Sequence, residues 1–174
     1  MVELVGRRII LRQWRDADRP AFRRMGADAQ VMEFMPAPLS AAEADALADR
    51  LAGDLVQRGW GVWALEVPGV ADFAGMVGLN PKSMPWGECV EVLWRLDAAH
   101  WGRGYATEAA RLALAHGFGA LGLAEIVSFT ATVNHRSQAV MRRLEMTADG
   151  EFDHPALPEG HWLRRHVLYR KTAP

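Results

Sequence analysis

The stretch His100-Trp101-Gly102-Arg103-Gly104-Tyr105-Ala106-Thr107-Glu108-Ala109 is a glycine-bearing turn between a strand and a helix. Before it, Cys89 to Leu96 alternates, with Val90, Val92, Trp94 and Leu96 on one face and Glu91, Leu93 and Arg95 on the other, the period of a β-strand. After it, from about Tyr105 to Phe118, Ala109, Leu112, Ala113 and His116 share one side of a helix that Gly119 and Gly122 end. Glycines let backbone approach a ligand closely, and the free amides at a helix start sit at the positive end of its dipole. Arg103 adds a cation. A diphosphate fits such a cradle, although an ordinary strand-to-helix connection has the same spacing. A nucleotide P-loop requires Gly-Lys-Ser or Gly-Lys-Thr, and the turn holds no lysine; the dinucleotide fingerprint requires a third glycine where Thr107 stands. Neither motif applies.

Working outward, Arg7 to Arg12 is a short β-rich run ending at Trp14, and Asp16 caps a helix to about Met25. Phe34-Met35-Pro36-Ala37-Pro38 cannot continue a helix. Ser40-Ala41-Ala42-Glu43 has capping-box spacing and opens a helix whose stripe of Leu47, Leu51 and Leu55 ends near Gly59. Val62 to Val67, a turn at Pro68-Gly69 and Ala71 to Asn80 read as a hairpin, after which Pro81, Pro85 and Gly87 are expected to break the chain. Downstream come a strand from Glu125 to Val133, a helix from Arg136 to Leu144, and strands near Met146 to Phe152 and Trp162 to Arg170. The last is expected to form an edge able to pair with a second copy, so monomer and homodimer both stay open. No repeat or low-complexity linker interrupts the order, and residues 1–174 read as a single domain.

Composition agrees with this reading. The chain has 174 residues, 50% hydrophobic and 24% charged, enough for a core of its own without disulfide or metal staples. Cys89 is the lone cysteine, which points to a reducing, cytoplasmic setting. No basic segment leads into an apolar run at the start, and Arg111, His116 and Glu125 break the apolar stretches well short of the ~20 residues a bilayer requires. Neither a signal peptide nor a membrane association is expected. A net charge of -1 supplies no basic field for nucleic acid, so stable nucleic-acid or ribosome binding is disfavoured and any anion must be held locally. The 6 histidines show no metal spacing, so no metal is expected, and Cys89 reads as a small buried hydrophobe.

The turn resembles the acyl-coenzyme A loop of the GNAT superfamily of N-acetyltransferases, whose pattern is Gln or Arg, two residues, Gly, one residue, then Gly or Ala. Here Trp101, Gly104 and Ala106 occupy those places, the first departing from the pattern. Trp-Gly-Arg-Gly-Tyr-Ala-Thr-Glu-Ala is similar to the branch containing the ribosomal-protein N-terminal alanine acetyltransferases (RimJ/RimL-like). So are Glu91 to Leu96, with Leu93 in place of a usual glycine, Asn134-His135-Arg136-Ser137, Arg7 to Trp14, and Phe34 to Pro38. The resemblance implies an α+β fold: a mixed, mostly antiparallel sheet of about seven strands with helices on both faces, splayed between the fourth and fifth strands. It also implies direct acetyl transfer from acetyl-CoA to a primary amine, a small molecule or a peptide N-terminus, with no metal and no covalent enzyme intermediate.

On that resemblance, backbone groups of Trp94, Arg95 and Leu96 pair with the pantetheine arm. The segment Trp101, Gly102, Arg103, Gly104, Tyr105, Ala106 and Thr107 holds the diphosphate, and Asn134 binds the cofactor's amide region unless it serves only as a helix cap. Many relatives have a thiolate-protonating tyrosine where this chain has Met141, which leaves Ser137 as the hydroxyl in the matching region. Glu91 is the candidate base, although a solvated strand-face carboxylate is the commoner fate of such a residue. Phe34 and Met35, on their proline-bounded loop, are acceptor-site candidates. The departures at Met141 and at Leu144-Glu145-Met146 keep open a second reading, a catalytically degenerate module that binds acetyl-CoA without turnover.

Overall fold

The computed structural model describes residues 2–174. Its sheet has eight strands in the order β1-β2-β3-β4-β5-β6-β8-β7. They are β1 (Leu4–Val5), β2 (Ile10–Arg12), β3 (Val62–Val67), β4 (Ala71–Met84), β5 (Gly87–Leu96), β6 (Glu125–Ala131), β7 (Thr147–Asp153) and β8 (Arg165–Thr172). Helices α1 (Arg19–Ala27) and α2 (Ala41–Arg58) lie against β4 and β3 respectively, and α3 (Tyr105–Gly119) lies against β4 and β5. Along β4, alternate side chains serve opposite faces: Leu79 meets Gly117 of α3, whereas Met76 and Asn80 turn toward a cavity.

The pairings are antiparallel from β1 through β5, and again between β6, β8 and β7. The exception is parallel β5–β6, which meet at Glu91 and Val127 alone. Beyond that point the two strands part. The mixed α+β architecture agrees with the expectation, and the splay falls where expected: between the fourth and fifth of seven strands, or β5 and β6 once β1 is counted. The eighth strand, β1, is only two residues long and too short to show a period.

Local chemistry explains the elements. Ser40 accepts from the Glu43 N–H and Glu43 reaches back to Ser40, closing a capping box worth about 1 kcal/mol at the start of α2. Gly59 ends that helix at φ 78°. Trp14, Phe22 and Phe73 pack with ring centroids 5.0–6.0 Å apart and fasten α1 to the sheet. Arg12, 1% exposed, binds Asp18 through both terminal nitrogens at 2.8 and 2.9 Å and Glu66 through Nε. This triad, buried at Arg12 and Asp18 and partly exposed at Glu66, ties β2, the turn before α1 and β3 together.

Three expectations about strand limits are corrected. Pro81 does not break β4, which runs on to Met84 and turns directly into β5. The β3–β4 ladder stops at Gly78, so Pro81 lies where β4 has a free flank and its missing N–H costs nothing. The last strand starts at Arg165 instead of Trp162, which lies in a turn and is 60% exposed. Nor is that strand an edge: β8 is enclosed by β6 and β7, and β7 forms the margin.

Candidate active site

The turn that follows Trp101 leaves its backbone donors free as far as Thr107. Gly102 and Gly104 take φ of 73° and 80°, left-handed values that glycine adopts at no steric cost. Gly104 is the N-cap of α3 and supplies no side chain to cap it. The N–H groups of Gly102 through Thr107 have no partner among the described residues. A run of uncapped amides at a helix start is an anion site by geometry. Arg8 braces it: Nη1 donates to the Arg103 carbonyl at 3.0 Å, Nη2 lies 2.8 Å from Glu108, and the guanidinium covers the Tyr105 ring. The Arg103 side chain itself is exposed and lies outside the cavity.

From this turn a cavity of about 1140 Å³ runs between the parted strands. Trp94, Arg95 and Leu96 line it, and from Val92 to Leu96 no residue of β5 is paired with β6. Trp101 seals one end, its indole donating to the Leu96 carbonyl at 2.9 Å and its ring stacked under the Arg136 guanidinium at 4.6 Å. That carbonyl is thereby partnered within the protein.

At the far end stands Glu91, 8% exposed, at the last contact of β5 with β6. The expectation of a solvated strand-face carboxylate is overturned, because the residue lies where the neighbouring strand still covers it. Burial raises its pKa from 4.5 to about 7, and Lys82, 3.9 Å away, opposes that rise. His154 and His166, with rings 4.8 Å apart, line the same cavity beside Phe129. Burial holds both imidazoles below their ordinary pKa.

Asn134 is the N-cap of α4 (His135–Arg143): Oδ1 accepts from the Ser137 N–H at 3.1 Å and Nδ2 donates to Thr130 at 3.0 Å. Each end retains capacity for one further bond, so capping and ligand binding are compatible. Asn134 and Ser137 both line the cavity. Met141 does not; it is 1% exposed in the core.

Uncapped amides, an unpaired strand edge and a buried carboxylate thus share one cavity, and the residues fit an acyl-coenzyme A. The sequence profile of the acetyltransferase (GNAT) domain matches residues 8–147, which span the turn, the parted strands and Glu91. The chain belongs to the GNAT acetyltransferase family. The FsC-acetyl coenzyme A-N(2)-transacetylase of Aspergillus fumigatus is 41% identical to this GNAT chain over 68 residues, covering 39% of this chain and 28% of that protein. The chain therefore spans little more than a quarter of that relative's length. Among solved structures, a GNAT-family acetyltransferase from Bacillus anthracis superposes with a TM-score of 0.83 at 20% identity, covering 98% of each chain. RimL, a ribosomal L7/L12 alpha-N-protein acetyltransferase solved with coenzyme A, superposes with a TM-score of 0.79 at 17% identity over 99% of this chain and 98% of its own.

Another wall of this GNAT cavity is the loop after α1. Phe34 is stacked by Arg136 at 5.5 Å and by Trp162 at 6.1 Å, and the Met35 sulfur faces Arg95 Nη2 at 3.6 Å. Cys89 is partly buried and outside the cavity, with its thiol pushed up by burial. Sequence reasoning missed Arg8, Lys82, His154, His166 and Arg136. Arg8 and Arg136 stand in the resemblance-bearing segments without a signal of their own, and the histidines meet only through the β7–β8 register.

Proposed function

We propose that this chain moves an acetyl group from acetyl-CoA to a primary amine, a small molecule or a peptide N-terminus, by direct attack in a ternary complex. The observation that carries the reading is the placement of the unpartnered Gly102–Thr107 amides and the buried Glu91 at two ends of one cavity, with the β5–β6 gap between them. The amides hold the diphosphate. The free flank of β5 pairs with the pantetheine arm, and Asn134 uses its remaining donor and acceptor on the cofactor's amide region. When bound, acetyl-CoA supplies the thioester acyl group that the amine accepts.

The residues of the chain manage the protons. Glu91, with a pKa near 7, is matched to take one from an ammonium acceptor at neutral pH, directly or through water. Ser137, on the first turn of α4 and lining the cavity, returns one to the leaving sulfur. Backbone N–H groups on the unpaired flank of β5 stabilise the carbonyl oxygen as its charge grows, an interaction worth roughly 3 kcal/mol in sites of this kind. We assign residues 1–174 to one acetyltransferase domain working in the cytoplasm as a monomer or homodimer, without a metal. RimL's likeness in fold supports peptide N-termini as one acceptor class to screen.

A second reading rests on Met141, which is packed in the core and puts no hydroxyl in the cavity: a degenerate module that binds acetyl-CoA without turnover. Thiol release across a panel of peptide N-termini, amino acids, polyamines and aminoglycosides separates the two. Release supports transfer, and silence alongside an acetyl-CoA thermal shift supports the module.

A further inference from the structure

The Arg95 side chain has no role in holding acetyl-CoA through the β5 backbone, and its setting is unusual. It lies on the same face of β5 as Glu91 and Leu93, and it lines the cavity next to the Phe34–Met35 loop. Its Nη1 is buried without a hydrogen-bond partner, and its Nη2 meets only the Met35 sulfur, a weak acceptor. No carboxylate among the described residues pairs with it. Of the other arginines that line the cavity, Arg50 and Arg136 have Asp54 and Glu33 as partners, and Arg143 is exposed to solvent. Of the lining carboxylates, Glu43 is engaged by Ser40 and Glu91 stands four residues along the strand, ~13 Å at strand rise. Burial alone lowers the Arg95 pKa to about 10, which leaves the group charged at neutral pH.

A half-buried cation with a buried, unpartnered nitrogen and no counter-charge is costly to the free protein. A guanidinium in this position is shaped for bidentate binding of a planar or tetrahedral oxyanion. The diphosphate cradle lies elsewhere, beyond Trp101 at the start of α3. We infer that the Arg95 side chain is the specificity determinant for an acceptor amine that also bears an anionic group, a carboxylate or a phosphoryl group. This rests on the transferase reading for the word acceptor, but the anion site itself does not. Glu91 and Arg95 then serve the two ends of one acceptor along a single strand face, the amine at Glu91 and the anion at Arg95.

Two measurements test it. The first is thermal unfolding of the full chain, without coenzyme A and at fixed ionic strength, titrated with inorganic phosphate and separately with acetate. The expected result is stabilisation by at least one of them in the wild type, a smaller shift in Arg95→Leu, where only the Gly102–Thr107 amides remain to bind the anion, and an intermediate shift in Arg95→Lys. The phosphate and acetate arms tell the two anion classes apart. The second compares kcat/KM for matched acceptors: amino acids against their carboxamides, and phosphoethanolamine against ethanolamine. The anionic member of at least one pair is expected to be favoured by about ten-fold or more, with the preference collapsing in Arg95→Leu. An anion shift equal in wild type and Arg95→Leu, the absence of any shift, or equal rates for anionic and neutral acceptors overturns the inference. So does a weakened acetyl-CoA shift in Arg95→Leu, which would assign the guanidinium to the cofactor. An Arg95-dependent anion shift with no turnover of any amine keeps the anion site and instead contradicts acetyl transfer.

Discussion

The Glu91 carboxylate and the Lys82 ammonium stand 3.9 Å apart on adjacent strands, too far for a direct hydrogen bond. Lys82 is partly exposed, while Glu91 is buried at the point where β5 and β6 separate. Burial therefore outweighs the cation, and the carboxyl titrates near 7 instead of 4.5.

That shift has a signed consequence for stability. Between pH 4.5 and about 7 the folded chain holds a proton on Glu91 that the unfolded chain has released, so stability contributed at this site falls as pH rises through that window. The interval corresponds to roughly 3 kcal/mol of destabilisation above pH 7. Glu91→Gln should accordingly unfold at higher temperature than the wild type at pH 8, with the difference shrinking toward pH 4.5. Calorimetry at the two pH values checks it, and a pH-independent difference would count against a titrating Glu91.

Lys82→Met removes the charge that opposes protonation of Glu91. The acidic limb of the kcat/KM profile should move to higher pH, with the plateau rate little changed. His154 and His166 face the same cavity with their pKa values lowered by burial, and Lys82 also lowers that of His154, so a limb that stays in place in Lys82→Met would transfer the titration to His166.

Capping and cofactor roles of Asn134 separate by substitution. Asn134→Ala loses the bond to the Ser137 N–H and should cost about 1 kcal/mol of stability as well as weakening acetyl-CoA binding. Asn134→Asp preserves an acceptor for the cap but removes the amide donor, so it should keep stability and still bind acetyl-CoA less tightly. Equal acetyl-CoA affinity in the wild type and Asn134→Asp would reduce the residue to a cap.

Much of this arrangement was legible in the sequence because it is local. The capping box at Ser40 and Glu43, the period-two run of β5 and the Gly102–Thr107 turn each declare themselves within a few residues. The strand parting followed from the resemblance, not from a period. Burial of Glu91 could not be read locally, since it depends on Val127 across a parallel contact 36 positions away along the chain. The continuation of β4 through Pro81 depended likewise on the β3–β4 ladder stopping at Gly78. The pairing of β8 between β6 and β7 is a matter of topology that no strand's own residues specify.

An unpartnered Arg95 also predicts a trade between stability and use. Arg95→Leu relieves a half-buried charge with an unpartnered nitrogen and should raise the unfolding midpoint of the free protein by the equivalent of roughly 1 kcal/mol. A fall in the midpoint would show that the guanidinium is part of the structural frame.

The most direct test of acetyl transfer is thiol release from acetyl-CoA, followed against the amine panel for the wild type and Glu91→Gln, with acetyl-CoA binding measured on both. Transfer with Glu91 as base requires release with at least one primary amine, a drop of about 100-fold or more in Glu91→Gln, and similar acetyl-CoA affinity in the two proteins. Bound acetyl-CoA with no amine-dependent release from the wild type would contradict it.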